Sequence, residues 1–412
     1  MDRRRFLASS VGAAASALVW DPRPLDAAWR RGAFQPADLD LFIRQKMERD
    51  HIPGVGAAIV DRDGVIWKSA YGFADIETRR PMTLDTLQNV ASISKTFTTT
   101  AVMQLRDEGL VSLDDDVGDS LPFTLRNPAY PDTPITIRHL MTHVSSLRDG
   151  TAYSRLYACG DPKITLEVWL REYFTSGGTY YAAAENFESW RPGERWRYCN
   201  VAYGVLGYLV EQLSGMPFPE YCRKQIFHRL GMPDTAWYLA DIDLDRHVVP
   251  YTWFSDGAAR GPTWGGLPLG VIRDQGAGSA AFVEGGYRAN CAYNHPNYPD
   301  GFLRTSVHQL SRHLRAYLNG GILDDNRILA ESTVREMLSI QRTDGERAQG
   351  LTWYAHRLGD AWAWGHGGSD PGVNNDIRML PEQGLGAIVL TNTNGIRPNE
   401  FTDRMLEEAL GK

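Results

Sequence analysis

Near its start the chain reads "PADLDLFIRQKMERDHIPG", whose apolar residues fall on one face of a helix that Pro53-Gly54 stops. "VGAAIVDRDGVIWKSAYG" then reads as two strands around the turn Asp61-Arg62-Asp63-Gly64. The far end mirrors this: "LTWYAHRL", "WAWGHGG", "VNNDIRML" and "LGAIVLTN" read as strands broken by Gly, Asp and Pro turns, and "EFTDRMLEEAL" as a last helix. Between the two ends the pattern is mostly helical. "TFTTTAVMQLRDEG" ends on Gly109 and "VAYGVLGYLVEQLSG" on Gly215. "TSVHQLSRHLRAYLNGG" opens with Ser306 and Gln309 in capping-box spacing and stops at Gly320. No internal repeat is visible. These elements predict an α+β fold with an antiparallel sheet from both chain ends (about 28–85 and 340–412) and a mainly helical lobe (about 86–339). The functional site is expected in the cleft between lobes.

Composition adds little to this picture, being 43% hydrophobic and 23% charged over 412 residues. A net charge of −7 with scattered arginines leaves no footprint for nucleic acid. The N-terminus does change it. "MDRRRFLASSVGAAASALVW" has a basic start and a short Ala-rich apolar stretch, and Arg3-Arg4-x-Phe6-Leu7 resembles a twin-arginine export signal. Residues 1–27 are therefore expected to be a signal peptide cut between Ala17 and Ala28, and 28–412 a single periplasmic or secreted domain without stable membrane insertion. Cys159, Cys199, Cys222 and Cys291 form no C-x-x-C pair, and the expectation is four small buried hydrophobes that need form no disulfide.

The candidate chemistry begins at "NVASISKTFTTT". Its threonines are poor helix formers, yet it holds one of only six lysines. Ser92 and Lys95 are three apart and share a helical face that continues through Thr99, Val102 and Met103. A lysine buried there would favour the neutral amine, which can take a hydroxyl proton and make Ser92 a nucleophile at a helix N-terminus. "RPGERWRYCNVAYGVLG" adds Tyr198 and Asn200 just before an apolar helix. A phenol held near a lysine can exist as phenolate, act as a general base and return the proton to the leaving group, and the amide can orient a carbonyl or the lysine. Tyr317-Leu318-Asn319 repeats the Y-x-N spacing, but helix packing explains it. Cys199 is expected to point into the core. In "WGHGGSDPGV", His366-Gly367-Gly368-Ser369 suggests a backbone that something approaches closely, with the N–H groups of Ser369 and Ser92 forming an oxyanion hole.

In this order and spacing the three pieces resemble the serine β-lactamase and penicillin-binding-protein superfamily in its class C branch, over nearly the whole mature chain. "TIRHLMTHVSSL", "YPDGFLRTSVHQLSRHLRAYLNGG" and "PGVNNDIRMLPEQGLGAIVLTN" are similar to later stretches of that family. The resemblance implies a β-lactamase/transpeptidase-like fold and an acyl-enzyme mechanism with no cofactor or metal. Ser92 would be the nucleophile, Lys95 its partner and Tyr198 the base. Asn200, His366, Gly368 and Ser369 would bind substrate and hold the oxyanion. The substrate would be a small ester or peptide, with esterase or D-amino-acid peptidase/DD-carboxypeptidase activity ahead of a class C β-lactamase or an inactive scaffold. His366 stands where β-lactamases of this branch carry lysine, which argues against efficient β-lactam turnover. Val144 and Ser146 replace the family's usual threonine and glycine. Trp264, Tyr293 and Tyr298 could wall an acyl pocket, though packing is the plainer reading. "HLMTH" places His139 and His143 at zinc-ligand spacing, but position 140 is Leu where a metalloprotease needs glutamate. "LDDDVGD" reads as a solvated turn.

Overall fold

The computed structural model describes residues 36–255, 286–345 and 347–411, with short strand pieces at 258–259, 263–264, 267–268 and 282–283. The export-signal expectation lies outside the described residues, and so does the side chain of Trp264. Helix α1 spans Pro36–Arg49, and strands β1 (Gly54–Asp61), β2 (Val65–Asp75) and β3 (Arg80–Pro81) follow. Near the other end come β4 (Arg342–Asp344), β5 (Arg347–Gln349), β6 (Tyr354–Leu358), β7 (Ala361–Asp370), β8 (Val373–Leu380) and β9 (Leu385–Thr391). Among the described residues these form one nine-stranded sheet in the order β4-β5-β6-β7-β8-β9-β1-β2-β3. Each neighbouring pair is antiparallel, and β1 joins the two ends of the chain through Val55↔Thr391 to Asp61↔Leu385.

Both faces of β1 are buried, which explains its continuous apolar run. Val55, Ala57 and Ile59 pack with Leu39 and Ile43 of α1 and with Phe401, Met405 and Leu406 of the last helix, Asn399–Ala409. Ala58 and Val60 point the other way into the larger core. There the helix Val307–Leu318 lies so close that a Cβ on Gly56 would meet Val307 at 2.9 Å, and one on Gly386 would meet Leu314 at 2.6 Å. Ser306 caps that helix by accepting from the Gln309 N–H at 3.3 Å, but the box is only half made. The Gln309 side chain instead bonds Asp234 and Thr235.

The helix Ser94–Asp107, α2, crosses the larger core with every residue from Ser94 to Leu105 buried. Its threonines are not flaws, because each hydroxyl has a partner. Thr96 donates to the Ile93 carbonyl at 2.8 Å, Thr98 to that of Pro299 at 2.6 Å and Thr100 to that of Thr96 at 2.7 Å. Thr99 bonds the Thr352 hydroxyl, and Thr100 also meets the Tyr317 hydroxyl at 2.7 Å. Tertiary packing outweighs helix propensity here. Against α2 lies the helix Val201–Ser214, α3, closed by Gly215 at φ 69°.

One sequence expectation fails. Cys159 and Cys291 form a disulfide across 132 residues, beside the strand pair Tyr293↔Cys159 and Asn294↔Ala158. Reading the four cysteines as separate core fillers missed it, because distant cysteines meet only through this pairing. Cys199 and Cys222 are the free, buried ones.

Candidate active site

Ser92 sits in a single 3-10 turn, Ala91–Ile93, directly before α2. The turn is strained: Ala91 has φ 49°, a left-handed conformation unfavourable for a residue with a Cβ, and its N–H is held by Asn89 Oδ1 at 2.8 Å. The edge of β7 passes over this turn. Pairing with β6 reaches only Gly365, so residues 366–370 of that edge are left to face Ser92. Gly368 is needed there, since a Cβ would collide with the Val90 carbonyl oxygen and lie 3.3 Å from Ala91 Cβ.

The expected polar residues converge on Ser92. Lys95 Nζ lies 2.9 Å from Ser92 Oγ, 2.8 Å from Asn200 Oδ1 and 2.6 Å from the Asp300 carbonyl oxygen. The Tyr198 hydroxyl donates to Ser92 Oγ at 2.7 Å. Lys95 also sits over the rings of Tyr198 and Tyr203, 5.0 and 5.3 Å from their centroids. Burial pushes the Lys95 ammonium below its usual value, while Asp300, Asp149 and Asp370 pull it back up. Burial pushes the Tyr198 phenol well above its usual value, and the bond to Ser92 only partly offsets this. The site therefore favours a neutral phenol over the phenolate expected from sequence. His366 is buried and pushed down to about 3, first by burial and then by the Lys95 charge. Its Nδ1–H donates to the Gly367 carbonyl at 2.7 Å, which leaves Nε2 as a bare acceptor without a partner among the described residues. Ser92, Tyr198, His366, Ser369, Tyr354 and Arg347 line one cavity of about 540 Å³.

Two acidic residues that the sequence did not single out support this cluster. Asp149 accepts from the N–H groups of Asn200 (2.8 Å) and Val201 (2.9 Å) at the start of α3, and from Asn200 Nδ2 (2.9 Å). A carboxylate at a helix start complements its free N–H groups, and this one turns the Asn200 oxygen toward Lys95. Asp300 is the second, buried beside Lys95. Both follow loop residues in "RDG" and "PDG", where an acid reads as an ordinary turn residue.

The remaining candidates have structural places. His139 completes a capping box with Thr136. His143 lies tilted against the Tyr198 ring, 4.3 Å between centroids, and accepts from the Cys199 N–H at 3.2 Å. Cys199 is fully buried, with its thiol 3.5 Å from Asp149 Oδ1. Ser146 takes the left-handed φ of 60° that a glycine would adopt freely, and its hydroxyl accepts from Asn127 at 3.0 Å. In the acidic run, Asp116 caps a 3-10 turn and pairs with Arg126. Tyr293 and Tyr298 belong to the larger core.

Comparison with known proteins places the family and the fold. The family model described as Beta-lactamase matches residues 39–412. Esterase EstB of Burkholderia gladioli is 31% identical over 222 residues, covering 52% of this chain and 54% of its own length. The chain spans about half the length of the first curated relatives it matches. Two solved structures share the fold. D-amino acid amidase from Ochrobactrum anthropi SV3 aligns with TM-score 0.69 and 22% identity, covering 91% of this chain and 97% of that one. The octameric penicillin-binding protein homologue from Pyrococcus abyssi aligns with TM-score 0.68 and 24% identity, over 92% and 78%.

Proposed function

Since the chain belongs to the beta-lactamase family, we propose that it is a serine hydrolase forming an acyl-enzyme at Ser92 on an ester or amide carbonyl. The observation that carries this reading is Ser92 Oγ held 2.9 Å from a buried amine and 2.7 Å from a phenol on a cavity wall. In the neutral amine, two N–H bonds go to Asn200 Oδ1 and the Asp300 carbonyl, leaving the nitrogen lone pair for the Ser92 hydroxyl. The Ser92 proton passes to Lys95 as Oγ attacks the carbonyl carbon. The N–H groups of Ser92 and Ser369 receive the oxyanion. On collapse of the tetrahedral intermediate, Tyr198 gives its proton to the leaving group and is refilled from Lys95. Water then attacks the acyl-enzyme through the same relay, and Ser92 regains its proton.

The reading extends to a carboxylesterase or a D-amino-acid peptidase type, in keeping with the similarity to esterase EstB and to D-amino acid amidase. His366 favours these over a β-lactamase. Its neutral ring offers an acceptor, so it takes a substrate N–H or O–H and repels a carboxylate. The buried Tyr354 hydroxyl on the same wall also lacks a partner among the described residues and gives substrate a second polar anchor. Export to an oxidising compartment is part of the proposal, supported by the Cys159–Cys291 bridge and the Arg3-Arg4 motif.

Intact mass after incubation with a fluorescent penicillin and with short and medium p-nitrophenyl esters tests the reading, with Ser92→Ala as control. Ester turnover that Ser92→Ala abolishes supports an esterase, and a stable penicillin adduct supports a peptidase. Rapid penicillin hydrolysis overturns the reading of His366. Ester turnover that survives Ser92→Ala, or a wild-type protein that neither turns over any probe nor is modified at Ser92, overturns the mechanism.

A further inference from the structure

The Asp300 carbonyl oxygen contacts Lys95, a bond any residue at that position could make. The Asp300 side chain needs a separate account, because an apolar side chain would fill the same buried space without the cost of desolvating a carboxylate. It is 2% exposed, and both of its oxygens are engaged. Oδ1 accepts from Asn297 Nδ2 at 3.0 Å, and Oδ2 accepts from the Tyr153 hydroxyl at 2.9 Å. Oδ2 is also 3.6 Å from Lys95 Nζ, the one ion pair that Lys95 makes among the described residues. Asn297 is itself fixed, with its Nδ2 donating to the Asn200 carbonyl at 3.0 Å and its Oδ1 accepting from the Trp169 indole at 2.9 Å. The carboxylate is thus held from two sides and aimed at the amine.

We propose that Asp300 is a positioning residue whose negative charge sets the pH at which the Lys95–Tyr198 pair gives up its first proton, and so the pH at which Ser92 becomes nucleophilic. The inference rests on the acyl-enzyme reading above. Other charged and titratable groups face Lys95 from every side. Asp149 lies behind Asn200, Asp370 ends β7, Tyr198 precedes α3 and Tyr203 lies in its first turn; His143 and His366 are neutral neighbours whose protonation would oppose the ammonium. Tyr153 and Tyr157 face Asp300. Asp149 is committed to the start of α3, and Asp370 accepts from Asn89 at 3.0 Å. Asp300 is the carboxylate left in direct reach of the amine.

Burial raises the Asp300 carboxyl to about 6 against the pull of Lys95, so it is ionised at neutral pH. Its negative charge holds a proton on the pair whether that proton finally leaves the amine or the phenol. This makes the sign of the effect independent of which group is the base. Removing the charge lets the proton leave at lower pH, and the acid limb of kcat/KM moves down. A base made weaker in this way also removes the serine proton less effectively, and the plateau falls.

The test is the kcat/KM profile for p-nitrophenyl butyrate from pH 4 to 9, with thermal unfolding of each variant alongside. Asp300→Asn keeps the size and polarity of the side chain. It is expected to move the acid limb down by about one pH unit or more and to lower the plateau about tenfold. Tyr153→Phe removes a bond that favours the carboxylate, raises the Asp300 carboxyl, and is expected to move the limb the same way by less. Coincident limbs in wild type and Asp300→Asn overturn the proposal even if the plateau falls, since a packing role lowers rate without moving the limb. Should Asp300→Asn fail to fold, Tyr153→Phe decides: a lower limb supports the proposal and a coincident one overturns it. A wild-type protein whose ester turnover does not depend on Ser92 removes both this inference and the reading beneath it. Acylation with unmoved limbs removes this inference alone.

Discussion

Two buried lysines lie on opposite sides of the sheet, and only one faces a hydroxyl. Lys46, at the end of α1, is 1% exposed and meets Asp50 at 2.9 Å and Glu400 at 2.5 Å. It clamps α1 to the last helix. Lys95 is fully buried and meets a serine oxygen, an amide oxygen and a backbone oxygen, with its carboxylate partner at 3.6 Å. Two contacting carboxylates hold an ammonium as an ion pair, whereas neutral acceptors accommodate either protonation state. Burial is common to both. What separates a structural lysine from a reactive one is the chemistry of its contacts.

The strongest way to break this comparison is to remove each amine in turn. Lys95→Met is expected to lower kcat/KM for a p-nitrophenyl ester by about a thousandfold or more while the protein stays folded. The comparison fails if that rate survives. A second test uses the histidines buried on the Lys95 side. Burial holds His295, His313 and His366 down at about 3 and His143 well below its usual value. Each is neutral in the folded state, while the unfolded chain protonates at about 6.5. Their contribution is fully present above that pH and is lost as pH falls toward 3. At pH 5 each costs about 2 kcal/mol, so the thermal midpoint should drop by about 5–10 °C relative to pH 7. A midpoint unchanged by calorimetry would show that these rings are not held neutral.

Lys46→Met sharpens the contrast from the other side. It leaves Asp50 and Glu400 partly exposed and able to take water, so the cost is about 1–2 kcal/mol in urea denaturation. Ester turnover should stay within about twofold of wild type. The smallest effect expected concerns His366. Because its ring stays neutral down to about pH 3, His366→Asn should lower the rate without shifting either limb of the pH profile between pH 5 and 8. A shifted limb would make that histidine a titrating member of the site.

These tests also mark what could be read from the sequence. Ser92, Lys95, Tyr198, Asn200, His366 and Gly368 were legible because their residue types and spacings belong together even before a fold is known, and the structure places all six around one turn. Sheet strands at both chain ends were legible from their apolar runs. Asp149 and Asp300 were not, because a single acid in a loop carries no pattern and gains meaning only from what folds against it. The disulfide was hidden for the same reason, its partners being 132 residues apart. The threonines of α2 were misjudged because propensity measures a helix in water, while these hydroxyls are buried against named partners. The burial that pushes the Tyr198 phenol up was not legible either, because sequence does not report burial.

The pairing of β1 with β9 has a consequence for how the molecule comes into being. Ala57 lies opposite Val389, and the β7 edge that closes over Ser92 comes from residues 366–370. Closing so long a loop costs entropy that no local contact offsets, which places this sheet among slow-forming, high-contact-order topologies. During synthesis the first strands emerge hundreds of residues before their partners. The nucleophile turn is therefore made early and has no finished pocket around it until the chain is nearly complete. On the proposed mechanism, a nascent chain cannot act by this route until the sheet is assembled.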